Sequence, residues 1–409
     1  MRVDVRENAM ILALSTLCEN PRRKTGLTTL FHELVQHSLI LHPEVSWIVF
    51  ADPQYEWTIE HPNVRVIRSF RNNHSLPRRL FADHVLVPLT AKRMKASALL
   101  TVGFVPLLKT LPTPMHLNVL THLSGNDKLG PWRTFYRKWM MDRGLRRAEL
   151  VITNSLWAAD QITKYAPWSR ARLVVSYEGL DHSVFHPQQS EGEQEGLQRE
   201  FGISPGYFLW VSNFYPYKQA DLLLKAYARC SPEMRKNHPM VMVGGSFGHG
   251  ETIRKLVMEL GIQDDVKFLG WIADQWLAPL YRSAIAHCFA SREETFGRSV
   301  SEALACGTPC VLNDIPIMRE VSGGQALLLN FQDLSAVSEA LEDIVSNPEL
   351  RERLRLGGFQ EAARFRFDTL AGERMDAILA LLNSEQTSKR RNLSAAPSEE
   401  AAADTLNQR

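Results

Sequence analysis

Two carboxylates, Glu294 and Glu302, bracket a short turn in the stretch SREETFGRSVSEALACGTPCV, residues 291–311. Residues 284–290 form a short apolar run that predicts a buried strand ending at this turn. A helix pattern follows, with Val300, Ala303, Leu304 and Ala305 apolar, Gly307 at its end and Pro309 blocking continuation before the next apolar strand. Thr295, Phe296, Gly297 and Arg298 therefore occupy a helix N-terminus, where free backbone N–H groups attract phosphate. A carboxylate repels phosphate but accepts hydrogen bonds from sugar hydroxyls. Acid groups flanking an anion cradle suit a ligand that is part phosphate and part polyol, and a nucleotide sugar is such a ligand. The plainer alternative is a strand–turn–helix with incidental surface glutamates.

Short apolar runs alternate with longer amphipathic ones along most of the chain. Residues 10–15, 47–50, 64–67, 99–102, 117–120, 150–153 and 173–175 read as strands, and residues 28–38, 76–95, 131–147 and 156–165 as helices. A second alternation starts with a strand at residues 207–211 and continues with strands at 240–244 and 266–269, separated by helices. The expected fold is α/β, with two Rossmann-like doubly wound domains facing across a cleft and ligands at the carboxyl ends of the strands. The expected boundaries are a first domain over 1–187, an acidic, glycine-containing linker over 188–200 and a second domain over 201–366. A terminal helix over 367–383 is expected to cross back to the first domain, before a disordered tail over 384–409 that lacks aromatics and periodicity.

The composition is that of a soluble globular protein, with 44% hydrophobic and 22% charged residues among 409. Five cysteines without metal-like histidine pairing read as buried thiols in a reducing compartment. There is no convincing signal peptide and no apolar run of membrane-spanning length, so a cytoplasmic location is expected. The net charge of +2 conceals an asymmetry: residues 1–180 carry 24 Lys and Arg against 14 Asp and Glu, while the remainder carries 23 against 31. The basic half suits either solvated helix faces or contact with an anionic membrane leaflet at its inner face. Aromatic platforms are not interleaved as nucleic-acid binding requires, so no nucleic acid partner is expected.

The pattern E-x-F-G-x-x-x-x-E-A-x-A-x-G-x-P, here Glu294, Phe296, Gly297, Glu302, Ala303, Ala305, Gly307 and Pro309, resembles the signature of retaining GT-B glycosyltransferases of family 4 (glycosyl transferases group 1). The resemblance covers the chain to about residue 382. It implies transfer of a hexose from a nucleotide diphosphate sugar, the donor substrate, to a hydroxyl of a glycan or lipid-linked acceptor. No Asp-x-Asp occurs, so neither a metal nor another cofactor is expected, and cations and backbone N–H groups must meet the diphosphate charge. The resemblance makes Lys218 a diphosphate ligand, Glu294 the contact for donor-sugar hydroxyls and Glu302 that for the ribose. Thr295, Phe296, Gly297 and Arg298 form the donor loop between them. His122 resembles a family histidine contacting the donor sugar and, with Glu294 and Lys218, makes up the expected catalytic set. Gly26, in the loop PRRKTG, resembles the glycine facing the diphosphate and acceptor; an ordinary basic loop is the alternative.

Several positions depart from the family pattern. Asn213 stands where an Arg usually grips the diphosphate and brings no charge. Leu123 follows His122 where Asp is usual, Glu178 replaces Asn in YEGLD, and Arg298 occupies a position where an aliphatic residue is commoner. Arg298 is therefore a candidate for the missing cation. The same departures feed a second reading, a non-catalytic GT-B protein that binds nucleotide sugar or partners a true transferase. Among donors, GDP-mannose is slightly favoured over UDP-sugars.

Overall fold

A computed structural model describes residues 10–17, 26–55, 57–68, 76–117 and 131–394. The chain divides into two compact units: Met1–Thr153 with Ile162–Ser176 and Asp368–Arg409, and Asn154–Gln161 with Tyr177–Phe367.

The first unit is built on seven strands: β1 (Met10–Ser15), β2 (Val45–Phe50), β3 (Val64–Ile67), β4 (Ala98–Val102), β5 (Met115–His116), β6 (Leu150–Thr153) and β7 (Arg172–Val175). They pair in the order β3-β2-β1-β4-β5-β6-β7, and every pairing is parallel. The central strands are near-continuous apolar runs because helices cover both faces of a parallel sheet. The order reverses between β1 and β4, which puts a crevice at their carboxyl ends. The helix Gly26–Leu41 follows β1, so Gly26 stands at a helix start. The basic residues before it, and His122, lie outside the described residues.

The second unit is built on β8 (Tyr207–Val211), β9 (Met240–Val243), β10 (Val266–Gly270), β11 (Ala284–Phe289), β12 (Cys310–Asn313) and β13 (Leu327–Leu329). Their order is β10-β9-β8-β11-β12-β13, again all parallel. Two apolar clusters cover the sheet. One contains Tyr207, Leu209, Phe296 and Phe365, the other Phe208, Trp210, Leu223 and Leu354. Alternate residues of β8 thus feed opposite faces, as a side-chain period of two dictates. The switch point lies between β8 and β11, so the loops carrying Lys218 and Glu294 leave adjacent strands at the same edge.

Four expectations on element boundaries are corrected. The linker over 188–200 contains a helix, Glu193–Phe201. Its acidic first turn is paired rather than solvated: Arg282 donates to both oxygens of Glu193, at 2.9 and 3.2 Å from Nε. Leu197 is buried and Phe201 packs edge-on against Trp276; this four-residue spacing is the helical signal that the polar composition concealed.

The helix expected over 76–95 is interrupted by a π-turn at Ala82–Leu86. Pro88 has no N–H to offer the carbonyl of His84, and that carbonyl accepts from the N–H of Leu108 instead. The strand expected over 117–120 is the short β5 at Met115–His116, and residues 118–120 lie outside the described residues.

The tail expected from 384 is helical as far as Ser394, because the last helix runs over Phe367–Ser394. Met375, Ala377, Ile378 and Leu382 of this helix join the core of the first unit with Leu12, Val49 and Ile152. Its buried Arg374 donates to the carbonyl of Ser176 at 3.2 Å. Burial of this apolar stripe, rather than local propensity, holds the helix in place.

Candidate functional site

The loop after β8 makes a single 3-10 turn, Pro216–Lys218, closed by Gln219 in the left-handed region. Lys218 leaves this turn and forms an ion pair with Glu294, both side chains being 13% exposed. Its ammonium also lies over the rings of Tyr217 and Phe289, at 5.1 and 5.2 Å. The loop after β11 is tied to the same turn, since the N–H of Arg292 donates to the carbonyl of Tyr217 at 3.0 Å. Two strands adjacent at the switch point thereby bring together a cation and a carboxylate that lie 76 positions apart in sequence.

Beyond Glu294 the chain turns at Gly297, whose φ of +98° lies in the left-handed region. A Cβ there would meet only the flexible tip of the Met318 side chain, at 2.6 Å, so it is the backbone conformation that calls for glycine. Gly297 caps the helix Arg298–Ala305. Its carbonyl accepts from the N–H of Val300, whereas the N–H groups of Phe296, Gly297 and Ser299 find no backbone acceptor among the described residues. These are the orphan donors of a helix N-terminus, and they favour an anion. Phe296 anchors the turn from below, fully buried against Phe365 at 5.3 Å and perpendicular to it.

Glu302 lies one turn into the helix and is 6% exposed. Burial pushes its carboxyl up, opposed chiefly by Arg298. Arg298 donates from Nε to Oε1 at 3.0 Å, and the Tyr281 hydroxyl donates to Oε2 at 3.1 Å. Arg298, the candidate for the missing diphosphate cation, is thus paired with a carboxylate of its own helix.

Asn213 also has a structural task. Its carbonyl oxygen accepts from the N–H of Gly245 at 3.1 Å, and Phe214 donates to the carbonyl of Gly245 at 2.9 Å. The loops after β8 and β9 are thus locked together, with Gly244 at φ +136° pressed against the backbone of Ser212. Along these loops runs a row of rings: Tyr217 stacked on Tyr215 at 5.6 Å, Tyr215 tilted against Phe247 at 5.0 Å, and Phe247 edge-on to Trp271 at 6.4 Å.

Sequence reasoning missed the support beneath Thr295. Asn154 and Ser155, just past β6, reach it: the Ser155 hydroxyl donates to the Thr295 carbonyl at 2.9 Å and the Asn154 amide approaches its hydroxyl at 3.4 Å. The same amide donates to Glu178 at 2.8 Å. Glu178 therefore works with Asn154, a pairing that a scan for motifs at fixed local spacing could not find. Tyr281 gave no signal either, as it reads as one more apolar position of a helix. Among the expected site residues, the structure brings Asn213, Lys218, Glu294, Thr295, Phe296, Gly297, Arg298 and Glu302 to one edge of the second sheet. Gly26 belongs to the first unit.

Residues 197–360 match the family model described as glycosyl transferases group 1. Over 282 residues the chain is 28% identical to a D-inositol 3-phosphate glycosyltransferase of Stackebrandtia nassauensis, covering 66% of this chain and 62% of that one. Over 251 residues it is 25% identical to an O-antigen chain mannosyltransferase B of Escherichia coli, covering 61% and 65%. The matches thus span less than two thirds of the length of either relative. The fold superposes on Anabaena HepE, solved in complex with UDP and glucose, with a TM-score of 0.69 at 19% identity, covering 91% of this chain and 100% of that one. The Glu294–Glu302 signature lies inside the matched segment, so residues 197–360 are similar to the glycosyl transferases group 1 family, and the fold is that of the GT-B glycosyltransferases.

Proposed function

We propose that this protein is a retaining hexosyltransferase. It moves a hexose, mannose being favoured, from a nucleotide diphosphate sugar to a hydroxyl of a glycan or lipid-linked acceptor, without a metal ion. The observation that carries this reading is the grouping of Lys218, Glu294, the Gly297 helix start and Glu302 at one switch point. The relatives add support: HepE was solved with UDP and glucose, and the Escherichia coli relative is named a mannosyltransferase.

In the proposed reaction, the bond from the anomeric carbon to the diphosphate breaks and a bond to the acceptor oxygen forms on the same face. The acceptor proton passes to the leaving phosphate. Lys218 exchanges Glu294 for the diphosphate, whose charge grows as the bond breaks, and the orphan N–H groups of Phe296 and Gly297 share that load. Glu294, released from Lys218, accepts hydrogen bonds from the sugar hydroxyls, and Glu302 accepts from the ribose. His122 is assigned to the donor sugar on the family resemblance. Asn213 supplies a frame rather than charge, and this observation favours the second reading, a nucleotide-sugar-binding protein without turnover.

Titration with UDP-glucose and GDP-mannose in the presence of EDTA, followed by thermal unfolding, tests the proposal. A donor at about 100 times its Kd stabilises by about 2.7 kcal/mol. One donor is expected to stabilise the wild type but not Glu302→Ala. Stabilisation without either transfer or donor hydrolysis would select the non-catalytic reading, and stabilisation that requires Mg²⁺ would overturn the metal-free step.

The proposed acceptor side includes a peripheral membrane contact. Among the described residues, no helix is long and apolar enough to cross a membrane. The helix Pro131–Arg147 exposes Trp132, Phe135 and Trp139 on one face, at 82, 64 and 44% exposure. Arg137, Lys138, Arg146 and Arg147 are exposed on the same helix, a combination suited to an anionic interface. The protein should co-sediment with vesicles containing one third phosphatidylglycerol, but not with pure phosphatidylcholine, and Phe135→Ser/Trp139→Ser should abolish this. Sedimentation unchanged by that double substitution would sink the assignment.

A further inference from the structure

Two departures from the family pattern, Glu178 and Arg298, bear on a single carboxyl. Glu302 has a side chain only 8% exposed. Among the described residues, the charged and titratable groups that act on it come from its own helix and from neighbouring segments. Arg298 lies one turn earlier on its own helix, and the Cys306 thiol one turn later. The Tyr281 hydroxyl comes from the helix Leu277–Ser283. Glu178, from the segment after β7, is a like charge that adds to the effect of burial. Burial is the largest influence on Glu302 and Arg298 the largest opposing one. To accept from both hydroxyls of a ribose, Glu302 must be a carboxylate, because a protonated carboxyl spends one oxygen as a donor.

We propose that Arg298 is a positioning residue that holds Glu302 aimed at the ribose diol, and that it is not a ligand of the diphosphate. The inference rests on the nucleotide-sugar reading. Nε of Arg298 is committed to Oε1 of Glu302 at 3.0 Å, its guanidinium carbon lies 5.9 Å from the centre of the Phe367 ring, and Tyr281 holds the opposite oxygen at 3.1 Å. Uncharged residues at 178 and 298 would remove both charges together. This chain carries both.

The sign of the pH dependence follows from burial. Without Arg298, Glu302 gains protons more readily, so ligand binding that needs the carboxylate fails as pH falls. In the free protein the effect on stability is reversed. A carboxyl raised further by folding contributes stability at low pH that is lost as pH rises through its folded-state value, so removing Arg298 should destabilise most at high pH.

UDP and GDP serve as probes in calorimetric titrations at pH 6.5 and 8.5. Arg298→Leu should lose more affinity relative to the wild type at pH 6.5 than at 8.5; the wild type sets the reference at each pH, because the terminal phosphate of the probes itself titrates at about pH 6. Arg298→Lys should retain most of the affinity, and Glu178→Asn/Arg298→Leu should regain much of what Arg298→Leu loses. A loss in Arg298→Leu that is equal at both pH values and vanishes with UMP or GMP would show a diphosphate ligand and overturn the inference. The nucleotide-free arm compares melting temperatures. Arg298→Leu should lose more at pH 8.5 than at 6.5, and adding Glu302→Gln should restore stability at pH 8.5. A pH-independent loss that Glu302→Gln does not repair overturns the inference alone. Absence of nucleotide binding by the wild type, with the stability pattern intact, overturns the donor reading and the role in ribose recognition with it.

Discussion

Lys218→Ala is expected to lower kcat/KM for hexosyl transfer by about 10²–10³-fold, the usual cost of removing one preorganised electrostatic contact to developing charge. The diphosphate gains charge as the glycosidic bond breaks, so much of the loss should fall on kcat. The substitution acts twice. It removes the ammonium, and it leaves Glu294, only 13% exposed, as an uncompensated carboxylate facing the incoming phosphates. Lys218→Arg keeps the charge and should lose far less. Steady-state kinetics with the donor identified by titration provide the check. A loss below about fivefold would place the diphosphate charge on other groups and would return weight to the basic loop before Gly26.

Gly244→Ala should destabilise the second unit by about 3 kcal/mol or more, the range reached only by substitutions with a defined steric or backbone conflict. The Cβ would lie 1.8 Å from the carbonyl oxygen of Ser212, a backbone atom that cannot swing aside. The residue also sits at φ +136°, which side chains rarely adopt. Gly270→Ala is the matched control: at φ +68° its Cβ would meet nothing within 4 Å, so only the left-handed penalty of about 1–2 kcal/mol applies. Urea denaturation of both variants separates the terms. Equal losses would mean that the Ser212 contact relaxes and that only backbone conformation counts. Because Asn213 is bonded to Gly245 across this contact, a shifted Gly244 should also weaken donor binding.

Much of this protein is legible without coordinates, and each success has a local cause. Strand β8 and the helix Pro131–Arg147 fall where hydrophobic periodicity puts them, because a two-sided parallel sheet requires unbroken apolar runs and its covering helices require one apolar stripe. The turn at Gly297 is equally plain, since its φ of +98° favours glycine. The interrupted helix around Ala82 shows the limit. Pro88 is visible in the sequence, but the acceptor role of the His84 carbonyl toward Leu108 is set 24 residues away.

By itself, the sequence determined the alternation of strands and helices, the helix start at Gly297, and the residue types, Lys218, Glu294 and Glu302, that suit a nucleotide sugar. These depend on spacing within a few turns of chain. Only the tertiary structure decided what each charge is paired with. It joined Lys218 to Glu294 across the β8–β11 switch point, paired Arg298 with Glu302, tied Glu178 to Asn154 and turned an apparent linker into a helix clasped by Arg282. The physical reason is common to all four. The energy of a charge depends on burial and on its nearest opposite, and both are properties of packing between segments far apart in the chain.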